Sequence, residues 1–423
     1  MSAALDAWLA RLERQHPVAI ELGLERVASV AARLGLNERP LAGQVVTVAG
    51  TNGKGSTVAL LERLAASHGL TTACYTSPHL LRYNERLRLD GEPAEDTLLV
   101  EGFERVEAAR LAGEAVSLTY FEAGTLAALW AIAQRQPQLA ILEVGLGGRL
   151  DAVNVVDPDI AVITTIAHDH ADFLGDDLDG IGFEKAGILR QERPAVLGSR
   201  ELPASVSARL EALAAPAYWL GQAFAPEAHD GGWRWQGSDA QGARYELDSL
   251  PDPGLPLDNA AVALQVLTLL GITPQGDAVR EALATVSLPG RLQWLGNWCL
   301  DVAHNPHAAA YVAERLAARP QPARRIGLLG VLGDKDAEAL IAALGSAVDA
   351  WVAVGLDGPR GRSAAKLGEA IESVGAPLLA CCDSPVAGVA WLRERLGADE
   401  EVLVCGSFLT VAEALGALTA AAD

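Results

Sequence analysis

The chain has 423 residues, half of them hydrophobic, and a formal net charge of -21. That length exceeds one ordinary core and predicts two domains. The acidity disfavours non-specific nucleic-acid binding, no basic run offsets it, and no apolar stretch approaches the ~18–20 residues of a membrane span.

The N-terminal segment mixes Asp6, Arg11, Glu13 and Arg14 into an amphipathic pattern and carries no export signal. The five cysteines, Cys74, Cys299, Cys381, Cys382 and Cys405, lack C-x-x-C spacing, which fits reduced thiols in a cytoplasmic protein. From residue 44 onward, short apolar runs alternate with longer amphipathic stretches, the pattern of βαβ units around a mainly parallel sheet. The expected class is α/β. Strands are expected at Gln44–Ala49, Thr71–Tyr75, Ala140–Val144, Ile160–Thr165 and Ala195–Gly198. Helices are expected at Thr57–His68, Ala94–Leu111, Glu122–Gln134, Leu178–Leu189 and Ser205–Ala214.

The first strand runs into Gly50-Thr51-Asn52-Gly53-Lys54-Gly55-Ser56-Thr57 and then a helix pattern. Strand, glycine loop and helix make a phosphate cradle: backbone N–H groups approach the phosphates, the helix N-terminus is electropositive, and Lys54 adds a point charge. The spacing departs from the strict G-x-x-x-x-G-K-[ST], since Gly55 follows the lysine. Next, Tyr75-Thr76-Ser77-Pro78-His79-Leu80 opens a loop holding Tyr83, Asn84, Glu85, Arg86 and Arg88, which suits a substrate loop or an ordinary charged surface loop.

The buried strand ending at Glu143 leads into Gly145-Leu146-Gly147-Gly148-Arg149-Leu150-Asp151. A carboxylate at that strand end can hold Mg²⁺, which takes few protein oxygens and fills its shell with water and phosphate. The next strand ends in His168-Asp169-His170. Histidine is an unusual magnesium ligand, so on the residues alone both imidazoles read first as hydrogen-bonded structural groups. Lys185, in Phe183-Glu184-Lys185-Ala186-Gly187-Ile188, reads alone as a solvated helix lysine.

Between Asp230 and Leu247, Trp233, Trp235 and Tyr245 flank the turn-forming GSDAQG, an antiparallel hairpin expected to cover one sheet edge. Helices at Asp258–Leu270 and Asp277–Val286 lead to Pro289-Gly290, where the domain boundary is placed: 1–288 and 289–423. A second, smaller Rossmann-like series follows, with strands at Trp298–Val302, Ile326–Leu329, Ala350–Val354, Leu378–Ala380 and Val402–Cys405. Its strand ends carry Asp301, His304, Asn305 and His307, then Gly330–Asp336, then Gly406-Ser407-Phe408. Asn305 before Pro306 is a helix cap. Polar groups at three strand ends predict a cleft facing the first domain.

Together these segments resemble the bacterial folylpolyglutamate synthase and dihydrofolate synthase family, relatives of the Mur peptide ligases. The resemblance is carried by GTNGKGS, TSPHL, YFEAGTLAAL, LEVGLGGRLDAVN, DHADFLG, EKAGI, DNAAVAL, GRLQ, DVAHNPHA, GDKD and GSFLTVAEA, in that order. It implies a P-loop ATP-binding domain followed by a glutamate-ligase domain, transfer of the ATP γ-phosphate to a substrate carboxylate, and attack of the glutamate amine on the acyl phosphate.

By that resemblance Gly50–Thr57 hold ATP, with Lys54 on the phosphates. Ser56 and Glu143 bind one Mg²⁺, and Ser77, Glu143 and His170 surround a second. Lys185 carries a carbamate, and a monovalent cation can accompany the metals. Asn259 and Asp301 meet adenine and ribose, Arg291 lies near the phosphates, and His304 and Ser407 flank the incoming L-glutamate. Pro78, His79, Arg82, Phe121, Arg149 and Asp151 complete the substrate-binding set, and Lys54, Glu143, His170, Lys185 and His304 the catalytic one. The acceptors implied are dihydropteroate and reduced folates, in an enzyme that acts as a monomer without nucleic acid or membrane. The family's commonest forms read DATN and LDHTDWLG; Val153, His168, Ala171 and Phe173 differ here. Another superfamily amide ligase, building cell-wall peptide or another polyamide, and a non-ligating P-loop switch are the competing expectations.

Overall fold

The computed structural model describes residues 2–16, 18, 21–168, 175 and 177–420. Asp169 and His170, and with them the expected second metal's imidazole, lie outside the described residues. The chain divides into two compact units, Met1–Ser287 and Leu288–Asp423.

The first unit is built on an eight-stranded sheet. Its strands are β1 (Gln44–Ala49), β2 (Thr72–Tyr75), β3 (Leu87–Leu89), β4 (Glu92–Pro93), β5 (Leu139–Glu143), β6 (Ile160–Ile163), β7 (Ala195–Leu197) and β8 (Ala217–Trp219), in the order β4-β3-β2-β5-β1-β6-β7-β8. From β2 to β8 every pairing is parallel. The central strands are buried throughout their length, which is why they read as unbroken apolar runs rather than alternating ones. Helices Lys54–Ser67, Asp96–Leu111 and Tyr120–Arg135 supply crossovers. The core gathers Leu126, Leu129, Ile132, Ala140 and Leu142 with Leu5, Leu12, Val27 and Val30 from the N-terminal helices.

β1 lies between β5 and β6. The chain leaves β1 for one side of the sheet and later returns to the other, so the loops after β1, β5 and β6 crowd together at neighbouring carboxyl ends. Strands ~4.8 Å apart thus bring three segments, distant in sequence, to one crevice at a switch of strand order.

The segment read as a loop after TSPHL is more ordered than expected. Tyr83–Arg86 forms a 3₁₀ turn, and β3 pairs antiparallel with β2, Tyr75 opposite Leu87. A three-residue strand gives too little alternation to detect. The Trp-rich hairpin is present as β10 (Gly232–Ser238) and β11 (Arg244–Leu250), joined by β9 (Ala225–His229) in a separate antiparallel sheet. It packs on helix Leu257–Leu269: Trp235 Nε1 donates to the Ala261 carbonyl at 3.2 Å and Gln265 Nε2 donates to the Ser238 carbonyl at 2.6 Å.

The second unit carries a six-stranded sheet ordered β12-β13-β17-β14-β15-β16: β12 (Gln293–Leu295), β13 (Trp298–Leu300), β14 (Arg324–Leu329), β15 (Ala350–Val354), β16 (Leu378–Cys382) and β17 (Glu400–Cys405). Only β12 runs antiparallel. Leu329, Trp351, Ala353, Leu403 and Cys405 form its core with helices Pro306–Ala317, Ala337–Leu344 and Ala364–Ser373.

Candidate active site

The glycine loop after β1 is held from two sides. Gly50 has φ 150°, and a Cβ there would meet Thr164 Oγ1 at 1.8 Å, so the close approach of β6 requires glycine. Gly53, at φ 84°, turns the chain into the helix, and a Cβ on it would meet the Asn259 amide at 2.9 Å. On the β6 side, Thr51 N donates to the Thr165 carbonyl at 2.7 Å, Asn52 N to Thr165 Oγ1 at 3.1 Å, and Thr164 Oγ1 to the Asn52 carbonyl at 2.7 Å. On the other side Asn259 Nδ2 donates to Ser56 Oγ at 2.8 Å. Lys54 Nζ lies over its own loop, donating to the Gly50 and Thr51 carbonyls at 3.0 and 3.3 Å.

The resemblance implied adenine for Asn259. Its amide also engages Ser56, beside the helix N-terminus that would receive phosphate. This positioning was missed in the sequence, because nothing in the apolar helix pattern around Asn259 marks a partner 203 residues away.

Glu143 is buried at the end of β5, and its Oε2 accepts from Ser77 N at 3.2 Å. Two of the expected metal residues therefore meet. No group of three or more His, Cys, Asp or Glu assembles among the described residues. The oxygen donors of Glu143, Ser77 and Ser56 fit a hard ion such as Mg²⁺, which keeps water and phosphate in much of its shell.

Lys185, read alone as solvated, is buried at the end of helix Leu178–Lys185. The Gly145–Asp151 loop lies against it: a Cβ on Gly148 would meet the Glu184 carbonyl at 2.9 Å and Lys185 Cα at 3.2 Å. Arg149 grips the same helix, with Nε and Nη2 3.0 and 2.8 Å from Glu184 Oε1. Asp151 is buried and accepts from Leu146 N at 2.8 Å and Val153 N at 3.0 Å. Burial raises its pKa to about 6, although those hydrogen bonds and the charge of Lys54 oppose the rise.

Beside it, aromatic groups form a wall. The Phe121 ring occupies the space a Gly145 side chain would need, 2.5 Å from the Cβ position, and faces Tyr75 at 6.4 Å between centroids. Arg86 lies over the Tyr83 and Tyr120 rings at 5.2 and 5.5 Å and donates Nε–H to His79 Nδ1 at 2.9 Å. Burial, then the Arg86 charge, pushes His79 down to about 4; the imidazole is neutral at pH 7 and free to accept that bond. Glu85 fixes the loop by accepting from the backbone N–H groups of Leu80, Leu81 and Arg82 at 2.7–2.9 Å. Ser77–Pro78 is a cis peptide bond. Tyr75, Tyr83 and Arg86 belong to the segment expected as a substrate loop or an ordinary charged surface loop, whereas Tyr120 was not among the expected binding residues.

In the second unit, Asp301 is buried and accepts from Leu292 N at 2.9 Å and Ala303 N at 2.8 Å. Burial raises its pKa and nearby Arg291 opposes the rise. Arg291 lies 5.3 Å from the Phe408 ring, and His304 faces that ring at 6.3 Å. His304 Nδ1 lies 2.8 Å from the Val302 carbonyl, so that nitrogen carries the proton. Asn305 caps its helix through Ala308 N at 2.9 Å. Ser407 caps helix Phe408–Thr419 and pairs with Thr410 Oγ1 at 2.7 Å, which donates to the Gly330 carbonyl at 2.8 Å. With Gly406 N donating to the Ala303 carbonyl at 2.9 Å, the ends of β13, β17 and β14 are joined.

A phosphate loop at a strand-order switch, with an acidic strand end beside it and a second parallel sheet bearing polar strand ends, defines a ligase of the Mur type. The Mur ligase middle domain family matches residues 48–200 and the Mur ligase glutamate ligase domain family residues 290–408. The dihydrofolate synthase/folylpolyglutamate synthase of Escherichia coli K12 is 43% identical over 429 residues, 99% of this chain and 96% of that protein. The structure of E. coli FolC in complex with DHPP and ADP superposes with a TM-score of 0.92 at 42% identity over 100% of both chains. The Yersinia pestis bifunctional folylpolyglutamate synthase/dihydrofolate synthase complexed with AMPPNP and Mn ion gives 0.89 at 42% identity, covering 99% of this chain and 100% of that one. This chain belongs to the dihydrofolate synthase/folylpolyglutamate synthase family.

Proposed function

We propose that the chain joins L-glutamate to dihydropteroate, forming dihydrofolate, and to reduced folates, forming folylpolyglutamates, at the expense of ATP. The acceptor carboxylate oxygen attacks the γ-phosphorus and ADP leaves. The glutamate amine then attacks the acyl carbon, phosphate leaves, and the amine proton passes to solvent or a nearby base. The observation that carries this reading is the glycine loop fixed between Thr164–Thr165 and Asn259, with Glu143 and Ser77 in contact with each other at the adjoining strand ends.

Gly50–Thr57 hold the triphosphate and Lys54 moves from its loop carbonyls to phosphate oxygens, a common division of labour in phosphoryl transfer. Ser56, Ser77, Glu143 and His170 are assigned to two divalent ions, which when bound offset charge on the transferring phosphoryl group. A carbamate on Lys185 replaces a buried cation with an anionic oxygen donor, and a monovalent cation belongs to the same reading. Phe121, His79, Pro78 and Arg82 line the folate acceptor, with Asp151 accepting its N–H groups and Arg149 holding the wall to Glu184. Arg291 and Asp301 meet the nucleotide, and His304 and Ser407 the incoming glutamate. The first unit is thus the ATP-binding domain and the second the glutamate-ligase domain. No described helix is long and apolar enough to cross a membrane; we take the active form to be a cytoplasmic monomer.

The test is ATP-dependent ligation of glutamate to dihydropteroate, tetrahydrofolate and a muramoyl acceptor, with amide products followed by mass spectrometry. Both folate substrates should turn over. Turnover of the muramoyl acceptor alone overturns the folate reading, and ATP hydrolysis without any amide product overturns ligation.

A further inference from the structure

The chain contains only four lysines, Lys54, Lys185, Lys335 and Lys366. Two belong to the site above. The other two lie on neighbouring elements of the second unit, in a protein of net charge -21; Lys335 is paired with Asp334 at 3.9 Å. A cavity of about 540 Å³ opens there, lined by Gly333, Glu338, Gly361, Arg362, Lys366 and Glu369.

The cations here have different duties. Arg360 is taken up by Asp334, at 3.0 and 2.8 Å. Arg362 Nη2 donates to the Gly333 and Lys335 carbonyls at 3.3 and 2.8 Å, tying the loop after β14 to the loop after β15. Lys366, exposed in the first turn of helix Ala364–Ser373, forms no ion pair among the described residues; its backbone N–H is capped by Ser363. The partial positive charge of that helix N-terminus adds to the ammonium.

The loop that supplies Gly333 to the cavity is tied at its start to a residue assigned to glutamate. Ser407, Thr410 and the Gly330 carbonyl form a continuous chain of hydrogen bonds into the loop that supplies Gly333. β17, β14 and β15 are successive neighbours, so the loop after β14 lies between the strand end that carries Ser407 and the loop after β15 that supplies Gly361 and Arg362.

We propose that this cavity is a docking subsite for the γ-linked oligoglutamate tail of the growing product, with Arg362 and Lys366 receiving α-carboxylates and Glu338 and Glu369 accepting amide N–H groups. The inference rests on the reading of the chain as a folylpolyglutamate-forming ligase. Two cations with two acceptor carboxylates match a chain that alternates carboxylates and amides better than they match a simple anion such as phosphate.

The test is titration of the full-length protein with a fluorophore-labelled γ-linked pentaglutamate, which has no pteridine, and with its uncharged α-amide analogue. The wild type should bind the acidic peptide, the amide analogue should bind at least tenfold more weakly, and Lys366→Glu should lose at least tenfold in affinity while keeping its melting temperature. Because lysines are so few, labelling with an amine-reactive reagent should show Lys366 protected by the peptide. No binding by the wild type, equal binding by Lys366→Glu, or equal binding of the amide analogue overturns the subsite. In turnover, the KM for a triglutamylated reduced folate should rise in Lys366→Glu relative to that for dihydropteroate, which has no tail; an unchanged ratio counts against it. Failure of all ligation by the wild type overturns the functional reading instead, and the peptide titration still decides whether the cavity binds oligoglutamate.

Discussion

Asn259 Nδ2 donates to Ser56 Oγ at 2.8 Å, so a helix from the far end of the first unit sets the hydroxyl at the head of the phosphate loop. Asn259→Ala removes that bond and opens space beside Gly53. A lost hydrogen bond of about 1 kcal/mol predicts a roughly five- to tenfold rise in the KM for ATP, with a smaller change in the KM for glutamate. Steady-state titration of each substrate checks this; an unchanged ATP dependence would show that Ser56 does not depend on its amide partner.

Lys54→Ala should leave the circular dichroism spectrum unchanged and lower kcat by on the order of 10³-fold, the scale of removing a donor from developing charge. Near-normal kcat would contradict the cradle assignment.

If Lys185 carries the proposed carbamate, Lys185→Ala should lower the rate because the buried position loses an anionic donor. Added acetate or propionate should restore part of the rate if a carbamate is the missing group. An intact-mass measurement under bicarbonate without the added carboxylate would argue against it.

Two desolvated groups, the buried Asp151 and the half-buried His79, tilt stability in opposite directions with pH. Asp151 is raised from 3.8 to about 6 in the folded chain, so between about pH 4 and 6 the native state holds a proton that the unfolded chain has released. Its contribution is fullest below pH 4, declines as pH rises through 6, and amounts to about 3 kcal/mol over that window. His79 is lowered from 6.5 to about 4, so its contribution is fullest above pH 6.5 and declines as pH falls through 4. The melting temperature of wild type relative to Asp151→Asn should therefore fall from pH 4 to pH 6.5, and relative to His79→Gln it should rise over the same range. Calorimetry at half-unit steps reads both slopes, and flat differences would sink the assignment.

The central strands were legible because burial on both faces leaves unbroken apolar runs: β1 and β15 have their expected bounds, and the others shift by a few residues. The glycine loop was legible because Gly50 and Gly53 occupy backbone conformations that other residues adopt poorly. The antiparallel edge at β3 was not, since three residues cannot establish a period. The aromatic wall was only partly visible: Phe121 was expected at the substrate, but Arg86 gains its meaning from two rings, one of them 34 positions downstream. Lys185 was misread on local sequence because the loop that buries it, Gly147–Arg149, comes from another strand end.

The proposed nucleotide cradle is complete only when three stretches of chain meet, around residues 50–56, 164–167 and 259. A ribosome that has made the first two hundred residues has therefore produced the glycine turn without its second brace. Affinity for nucleotide should appear late in synthesis and abruptly, once the helix bearing Asn259 has emerged and docked, making triphosphate capture a sign that this half of the protein has finished folding.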